Sequence, residues 1–141
     1  MTDHRTILNE HDALDTLLRD LRVVSTWSIH LLQQRKVRSQ LAGDLRALKE
    51  YLLRHFATEE SGSYLEEISV RKPLSRAALL ELHQEHSVFL DQLTSLEESC
   101  MEHDEDAYVP GDLAARLVEL LDMLKRHESR ETALLQEVFS F

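Results

Sequence analysis

The sequence predicts an all-α protein, an up-down-up-down antiparallel four-helix bundle. Good helix formers, above all Leu, Glu, Arg and Ala, are abundant, whereas the 141 residues include three Gly and two Pro. Each Pro lies in a polar stretch that interrupts the apolar pattern. Between such stretches, apolar residues recur alternately three and four positions apart, which is the spacing of a helix that packs against its neighbours in a bundle.

Three breaks separate the four predicted helices. Two of them hold the prolines and run from Ser69 to Pro73 and from His103 to Gly111. The third is expected near Gln33–Ser39, because the first half of the chain is too long for one globular helix. Asp3 and Asp112 are the expected N-caps of the first and last helices, where a carboxylate accepts hydrogen bonds from free backbone N–H groups.

The length fits a single domain over residues 1–141, which is long enough to bury a core without disulfides. The single cysteine, Cys100, requires no oxidising compartment, and no run approaches the ~18 apolar residues of a membrane span. A net charge of −10, with the basic residues scattered, opposes contact with phosphate backbones. We therefore expect a cytoplasmic protein that binds neither membranes nor nucleic acid.

Seven polar side chains occupy positions in the apolar pattern where leucine is expected. The fourth helix shows this most clearly, since its pattern reads Leu113, Leu117, Leu120, Leu124, His127, Glu131, Leu134 and Val138. The complete set of candidate metal ligands is His11, His55, Glu59, His83, His86, His127 and Glu131. No predicted loop contributes a member of this set.

These side chains are predicted to lie at one depth in the core. In a bundle with short turns, residues at equal depth on successive helices are equally far from the turn between them. The midpoint between His55 and His86 falls in the first proline break, and the midpoint between His86 and His127 falls in the second. The midpoint between His11 and His55 falls at the edge of the expected first turn.

A faint internal repeat relates the two halves of the chain. A His and a Glu four residues apart occur on both the second and the fourth helix, and a Glu-His dipeptide occurs on the first and the third. Residues four apart project from the same face of a helix, so each pair can aim a nitrogen and an oxygen into one cavity. A site built from two such halves is pseudo-symmetric, which suits two metal ions better than one.

Metal ions account for such a polar layer in an apolar core. Burying a polar group without a partner costs roughly 1–3 kcal/mol, and burying a lone carboxylate costs more. Five imidazoles and two carboxylates exceed what one tetrahedral zinc accepts, and the mixed set favours five- or six-coordinate iron or manganese. Zinc remains an alternative, because affinity alone does not favour iron. The ferritin-like arrangement is excluded, because no His in the chain completes a Glu-x-x-His pair.

Four segments, one in each predicted helix, carry a resemblance to a known family. They are Asn9-Glu10-His11-Asp12-Ala13-Leu14, His55-Phe56-Ala57-Thr58-Glu59-Glu60, His83-Gln84-Glu85-His86 and His127-Glu128-Ser129-Arg130-Glu131. In this order they resemble the hemerythrin family, in its broader form the HHE cation-binding domain. The resemblance implies a non-haem centre of two iron ions, of the Fe–O–Fe or Fe–OH–Fe type. It assigns iron ligation to one third-helix histidine and to His11, His55 and His127, and bridging of the ions to Glu59 and Glu131.

The chain departs from the oxygen-carrying members of this family at two points, and therefore looks closer to the divergent bacterial branch. Those members have third-helix histidines four apart and a fourth-helix Asp five residues after its His. Here the third-helix histidines are three apart, and Glu131 follows its His by four residues. His86, which follows Glu85, matches the family position better than His83. If only one of these two histidines binds, an iron has an open position, and peroxide or nitric oxide chemistry is then favoured over oxygen carriage.

The leading hypothesis is a metal-binding protein, rather than an enzyme, that binds dioxygen reversibly or senses oxygen or iron. One alternative is a di-iron enzyme that acts on peroxide or nitric oxide in stress defence, and another is a metal-free helical interaction module. Glu10, Glu60 and Glu85 are candidates to accept the distal N–H of ligand imidazoles. Tyr64 remains open as an extra ligand or as a neighbour of the ligands. No catalytic residue is assigned.

Overall fold

The computed structural model describes residues 4–25, 34–61, 64–101 and 110–139. These residues are helical and contain no strand, which confirms the all-α class. Among their helices, none is both long enough and apolar enough to cross a membrane. Six helical segments follow one another in this part of the chain: α1 (His4–Ser25), α2 (Arg35–Ser61), α3 (Tyr64–Arg71), α4 (Pro73–His83), α5 (His86–Cys100) and α6 (Pro110–Phe139).

Lys72 alone separates α3 from α4. Its backbone leaves the helical region, with φ −145° and ψ 85°, because the ring of Pro73 crowds the preceding residue. Pro73 then starts α4, where a backbone N–H is not needed. The predicted break at Ser69–Pro73 is therefore correct in position but too wide. The sequence did not predict α3 as a short helix of its own.

The remaining predicted boundaries are described only in part. Because α2 begins at Arg35, the second half of the turn expected near Gln33–Ser39 is wrong, and Gln33 lies outside the described residues. In the last break, residues 103–109 also lie outside them, and α6 begins at Pro110.

Neither of the two predicted N-caps is confirmed, although the first and last helices are present. Asp3 lies outside the described residues. Asp112 lies in the first turn of α6 rather than before it, so its assignment as the N-cap is wrong. Its carboxylate lies 3.8 Å from a guanidinium nitrogen of Arg116, and its negative charge still interacts favourably with the amino end of the helix dipole.

The predicted third helix is divided into α4 and α5 at Gln84 and Glu85. Both residues keep right-handed helical dihedral angles. The Glu85 N–H, however, donates to the Leu82 carbonyl over 3.1 Å, one residue closer than in an α-helix. The interruption lies between His83 and His86. The sequence had predicted that these two histidines stand on one regular helix, and this prediction is wrong.

The helices pack around two buried apolar clusters. α2 packs against α5 and α1 against α6, while α1 also contacts α2 and α5 also contacts α6. The short α3 packs on α4, which in turn contacts α6. The larger cluster includes Leu14, Leu18, Leu21, Leu41, Leu45, Leu48, Leu52, Leu93, Leu96, Leu113, Leu117, Leu120, Leu121 and Leu124. The smaller cluster consists of Ile7, Ile68, Leu79, Leu135 and Val138.

The His and Glu residues that replace leucine in the apolar pattern lie between these two clusters. On α1, His11 falls between Ile7 of the smaller cluster and Leu14 of the larger one. On α6, the chain likewise passes from the larger cluster through His127 and Glu131 into the smaller cluster. Apolar side chains therefore separate the polar layer from water on both sides.

Leu45→Ala removes a buried side chain from the larger cluster and should destabilise the protein by about 2–5 kcal/mol, because the cavity cannot close fully. Leu74→Ala is the control, since Leu74 is 92% exposed. Its truncation should change stability by less than ~0.5 kcal/mol. Urea unfolding at equal metal content measures both values. Equal losses in the two variants would contradict this description of the core.

Candidate metal centre

Six of the seven predicted metal-ligating side chains meet in one buried layer. They come from four helices, and none is more than 5% exposed. The carboxylates of Glu59 and Glu131 are completely buried. The six are His11 of α1, His55 and Glu59 of α2, His86 of α5, and His127 and Glu131 of α6.

The six side chains form two groups of potential ligands that share both carboxylates. In each group, one nitrogen or oxygen atom from every residue lies within 4.8 Å of those of the other three. One group holds His11 and His55, here named the α1/α2 pair, and the other holds His86 and His127, here named the α5/α6 pair. Glu59 belongs to both groups, as does Glu131. This is the pseudo-symmetry that the internal repeat predicted.

Each shared carboxylate turns one oxygen towards each histidine pair. The Oε1 atoms of Glu59 and Glu131 face the α1/α2 pair, at 3.3 and 3.2 Å from His11 Nε2. The Oε2 atoms face the α5/α6 pair. For Glu59 the distance to His86 Nε2 is 3.1 Å, and for Glu131 the distance to His127 Nε2 is 3.8 Å. Two carboxylates placed in this way can each bridge two cations.

His83, the seventh predicted ligand, lies at the edge of the layer. Its Nε2 is 4.0 Å from Oε2 of Glu59 and 4.0 Å from Oε2 of Glu131, and its nitrogens join neither group. Its ring centroid is 5.0 Å from that of His86. Both oxygens that it approaches face the α5/α6 pair, so His83 stands on that side of the centre.

Carboxylates outside the layer hold the distal nitrogens of three ligand histidines, as the sequence suggested. Because an ionised carboxylate only accepts hydrogen bonds, Nδ1 of each ring carries the proton and Nε2 turns its lone pair towards the layer. The acceptors are Glu10, Glu60 and Glu85, at 2.5, 2.9 and 2.8 Å from Nδ1 of His55, His86 and His127.

The fourth histidine, His11, has a neutral neighbour instead. Its Nδ1 lies 2.9 Å from the hydroxyl oxygen of Thr132. Thr132 was not recognised from the sequence, because a single Thr within a helix forms no recurring pattern. The one available signal was its position directly after Glu131, on a helix that carries ligands.

Five atoms of the layer are buried without a hydrogen-bond partner among the described residues. They are Oε2 of Glu59, both carboxylate oxygens of Glu131, and Nε2 of His86 and His127. Leaving a buried carboxylate oxygen unpaired is costly, and buried nitrogens with unused lone pairs add to that cost. Cations between the two histidine pairs would satisfy these atoms together. The residues therefore fit a metal centre.

A comparison with protein families matches residues 2–139 to the hemerythrin HHE cation binding domain. The chain belongs to this family. The match covers nearly the whole chain, and it confirms the resemblance carried by the four histidine-containing segments. Family membership, together with the geometry, establishes a helical bundle with a buried His/Glu group able to hold a metal. No curated protein and no solved structure matches the chain significantly.

In this hemerythrin-family protein, burial shifts the pKa values of the ligand side chains when no cation is bound. Burial, followed by the negative charge of Glu131, raises the pKa of Glu59 well above its ordinary value. Burial by itself would also raise the pKa of Glu131, but the neighbouring His11 imidazole and Glu59 carboxyl group lower it. Of the two carboxyl groups, Glu59 is therefore the one that more readily holds a proton, and a bound cation would compete with that proton. Burial also lowers the pKa of His86 to about 4, so the ring is neutral, as ligation requires.

A further buried carboxyl group, that of Glu128 on α6, lies beside the ligand layer. It was not identified from the sequence. Glu128 is 4% exposed and directly follows His127. Burial, followed by the negative charge of Asp15 on α1, raises its pKa to about 9. Lys125 in turn holds Asp15 over 2.8 Å. Glu128 stands seven residues after the buried Leu121, a helical spacing that could have identified it.

Two phenylalanines close the layer on the side of the larger apolar cluster. The Phe56 ring stacks on His86, with centroids 3.7 Å apart and planes at 4°. Phe89 meets the His127 ring at 5.0 Å and 78°, as an edge-to-face contact. Both are packing residues of the larger cluster. The side chain of Tyr64, whose role was left open, lies outside the described part of the structure.

Glu128→Gln should raise the free energy of unfolding at pH 8 by ~2 kcal/mol or more. The folded protein keeps Glu128 protonated up to about pH 9, whereas the unfolded chain releases that proton near pH 4.5. Wild-type stability therefore falls as the pH rises from 4.5 towards 9, and the neutral glutamine avoids this loss. The difference between the two proteins should vanish near pH 4.5.

Urea unfolding between pH 4.5 and 8.5, at equal metal content, measures this difference. Glu137→Gln is the matched control, because Glu137 is an exposed carboxylate on the same helix. It should show no gain at pH 8. A gain in Glu128→Gln that is the same at every pH would contradict a protonated Glu128.

Proposed function

We propose that the chain binds two iron ions in this layer and binds dioxygen reversibly at one of them. The observation that supports the proposal most strongly is the division of the Glu59 and Glu131 oxygens between two histidine pairs. A carboxylate shared in this way would neutralise charge on both ions. The proposed ligands are His11, His55, Glu59, His83, His86, His127 and Glu131.

The proposed fold around the ions is a single domain, an up-down-up-down antiparallel four-helix bundle. In it, α4 and α5 together form the third helix. The packing supports this, because α1 contacts α2, α2 contacts α5, α5 contacts α6 and α6 contacts α1. Contacts in that cyclic order are the ones that four successive antiparallel helices make.

The two histidine pairs offer their ions unequal numbers of protein ligands. The α1/α2 pair and two carboxylate oxygens supply four donors. The α5/α6 pair and the other two carboxylate oxygens also supply four, and His83 stands beside them as a proposed fifth donor. If His11, His55 and the two carboxylate oxygens held an iron that prefers five or six ligands, they would leave a position free for a small ligand such as dioxygen. When bound, the ferrous ions supply the electrons that dioxygen accepts.

The surrounding side chains favour reversible binding over consumption of dioxygen. The two apolar clusters exclude water from both sides of the layer, which suppresses hydrolysis and proton leakage. Glu10, Glu60 and Glu85 hold the imidazoles in orientation from outside. The layer is therefore dry and preorganised.

A second candidate is a di-iron enzyme that acts on peroxide or nitric oxide, and the position of His83 favours it. His83 Nε2 lies 4.0 Å from an oxygen of each shared carboxylate, yet His83 belongs to neither group of potential ligands. An imidazole in this position can exchange a proton with a small molecule bound in the layer.

Protein purified from iron-supplemented cells should contain about two iron ions per chain by elemental analysis. In its reduced form, it should develop a charge-transfer absorption in air that disappears when dioxygen is removed. An absorption that persists under anaerobic conditions would contradict reversible binding. Steady decomposition of added peroxide, lost in His83→Gln, would favour the second candidate.

Replacing one shared carboxylate tests the bridge between the ions. Glu59→Gln should lower the iron content well below the wild-type value and abolish the absorption, because an amide carries no charge to neutralise two cations. Glu137→Gln, a change at an exposed carboxylate, should leave both unchanged. Wild-type iron content in Glu59→Gln would rule out the shared carboxylate as a ligand.

Removing the metal with a chelator should lower Tm by on the order of 10 °C, because a cation that binds only the folded chain stabilises it. Calorimetry of the loaded, stripped and reloaded protein measures the change. Reloading should restore the original Tm. The same Tm before and after complete removal would show that the layer is stable without a cation.

A further inference from the structure

We infer, on the basis of the proposed two-metal centre, that its two positions differ in affinity and that the α5/α6 pair binds its cation before the α1/α2 pair does. Apart from His83, the ligands are nearly symmetric, since each position has two histidines and one oxygen from each shared carboxylate. The difference lies in the groups that hold the distal nitrogens of the histidines.

Both rings of the α5/α6 pair donate to a carboxylate. Glu60 Oε1 lies 2.9 Å from His86 Nδ1, and Glu85 Oε1 lies 2.8 Å from His127 Nδ1. A carboxylate that accepts this N–H draws its proton away and leaves more electron density on Nε2, which makes the imidazole a stronger metal ligand. Arg130 also contacts Glu85 and neutralises part of its charge. Among the described residues, Glu60 has no such ion pair with a Lys or Arg side chain.

Only one ring of the α1/α2 pair has this support. Glu10 Oε2 lies 2.5 Å from His55 Nδ1, whereas His11 Nδ1 lies 2.9 Å from the Thr132 hydroxyl. A hydroxyl has no net charge, so it draws the Nδ1 proton away less than a carboxylate does. His11 is therefore the weakest nitrogen donor of the four, and Thr132 is the positioning residue responsible.

His83 adds to the difference in the same direction. It approaches the Oε2 atoms of Glu59 and Glu131, which face the α5/α6 pair, so a third imidazole stands beside that position. Among the described residues, the donor group of the α1/α2 pair contains no third histidine. The position beside His86 and His127 thus has both the stronger nitrogen donors and the additional one.

Unequal affinity links dioxygen binding to the supply of iron. The open position of the proposed centre lies beside His11 and His55, which form the weaker position. At low free iron, the chain would carry one ion beside the α5/α6 pair, and the position at which dioxygen is proposed to bind would hold no iron. As free iron rises, the weaker position fills and the centre becomes complete. Thr132 sets the iron concentration at which this happens.

Zinc tests the order of binding without iron or dioxygen. Zinc-loaded protein is equilibrated with chelators of increasing strength, and bound zinc is measured together with the ring ¹⁵N signals of the histidines. We expect two separate losses of zinc. The signals of His11 and His55 should change in the first, and those of His86 and His127 in the second, at affinities differing by about tenfold or more.

Two substitutions should move the two steps in opposite ways. Thr132→Asp places a carboxylate near His11 Nδ1 and should strengthen the weaker step by about tenfold. Glu60→Gln should weaken the tighter step by about tenfold. Because the Glu60 side chain is half-exposed, this substitution changes no residue inside the layer. Glu137→Gln should leave both steps unchanged.

Loss of both zinc ions in one step, or earlier loss from the α5/α6 pair, would overturn the inferred order. Unchanged affinities in Thr132→Asp and Glu60→Gln would overturn the role of the distal groups. A saturated protein with one zinc per chain would instead overturn the two-metal centre itself. The stoichiometry therefore tests the proposed function, whereas the order and the variants test this inference.

Discussion

The carboxylates of Glu59 and Glu131 meet inside the protein, where solvent reaches neither side chain. Two like charges at such a site are sustained only by protons or by cations, and the imidazoles of His55, His86 and His127 turn their lone pairs towards them. The other features of the layer follow from this constraint. Four helices must each bring a histidine to the same depth, and groups outside the layer must hold those rings. Two apolar clusters must keep water away on either side.

Much of this could be predicted from the sequence, because the governing signals are local and periodic. A helical repeat shows which face of each helix is buried, so a His or Glu in place of Leu was recognisable as a buried polar residue. Proline acts on its own neighbours, so the break before Pro73 was predictable. Equal spacing from the breaks then placed the ligand histidines in one layer before any contact was known.

Other features depend on contacts between distant parts of the chain. Gln84 and Glu85 interrupt the third helix while keeping helical dihedral angles, and neither is a Gly or a Pro that would mark the site. Glu128 is buried because α1 lies over it, which its own segment does not show. The contact of Thr132 with His11 joins opposite ends of the chain. Such pairings arise from the packing of helices, and a single sequence does not display them.

The His-x-x-x-Glu pairs of α2 and α6 have a consequence for how the helices align. Each of these helices must present two ligands to the same layer at once. If α6 slid by one residue, its side chains would turn by about 100° around the helix axis and both ligands would leave the layer. Layers made of leucine accept many alignments, because one leucine replaces another with little loss. The leucines therefore stabilise the packing of the helices, while the polar layer selects a single register among them.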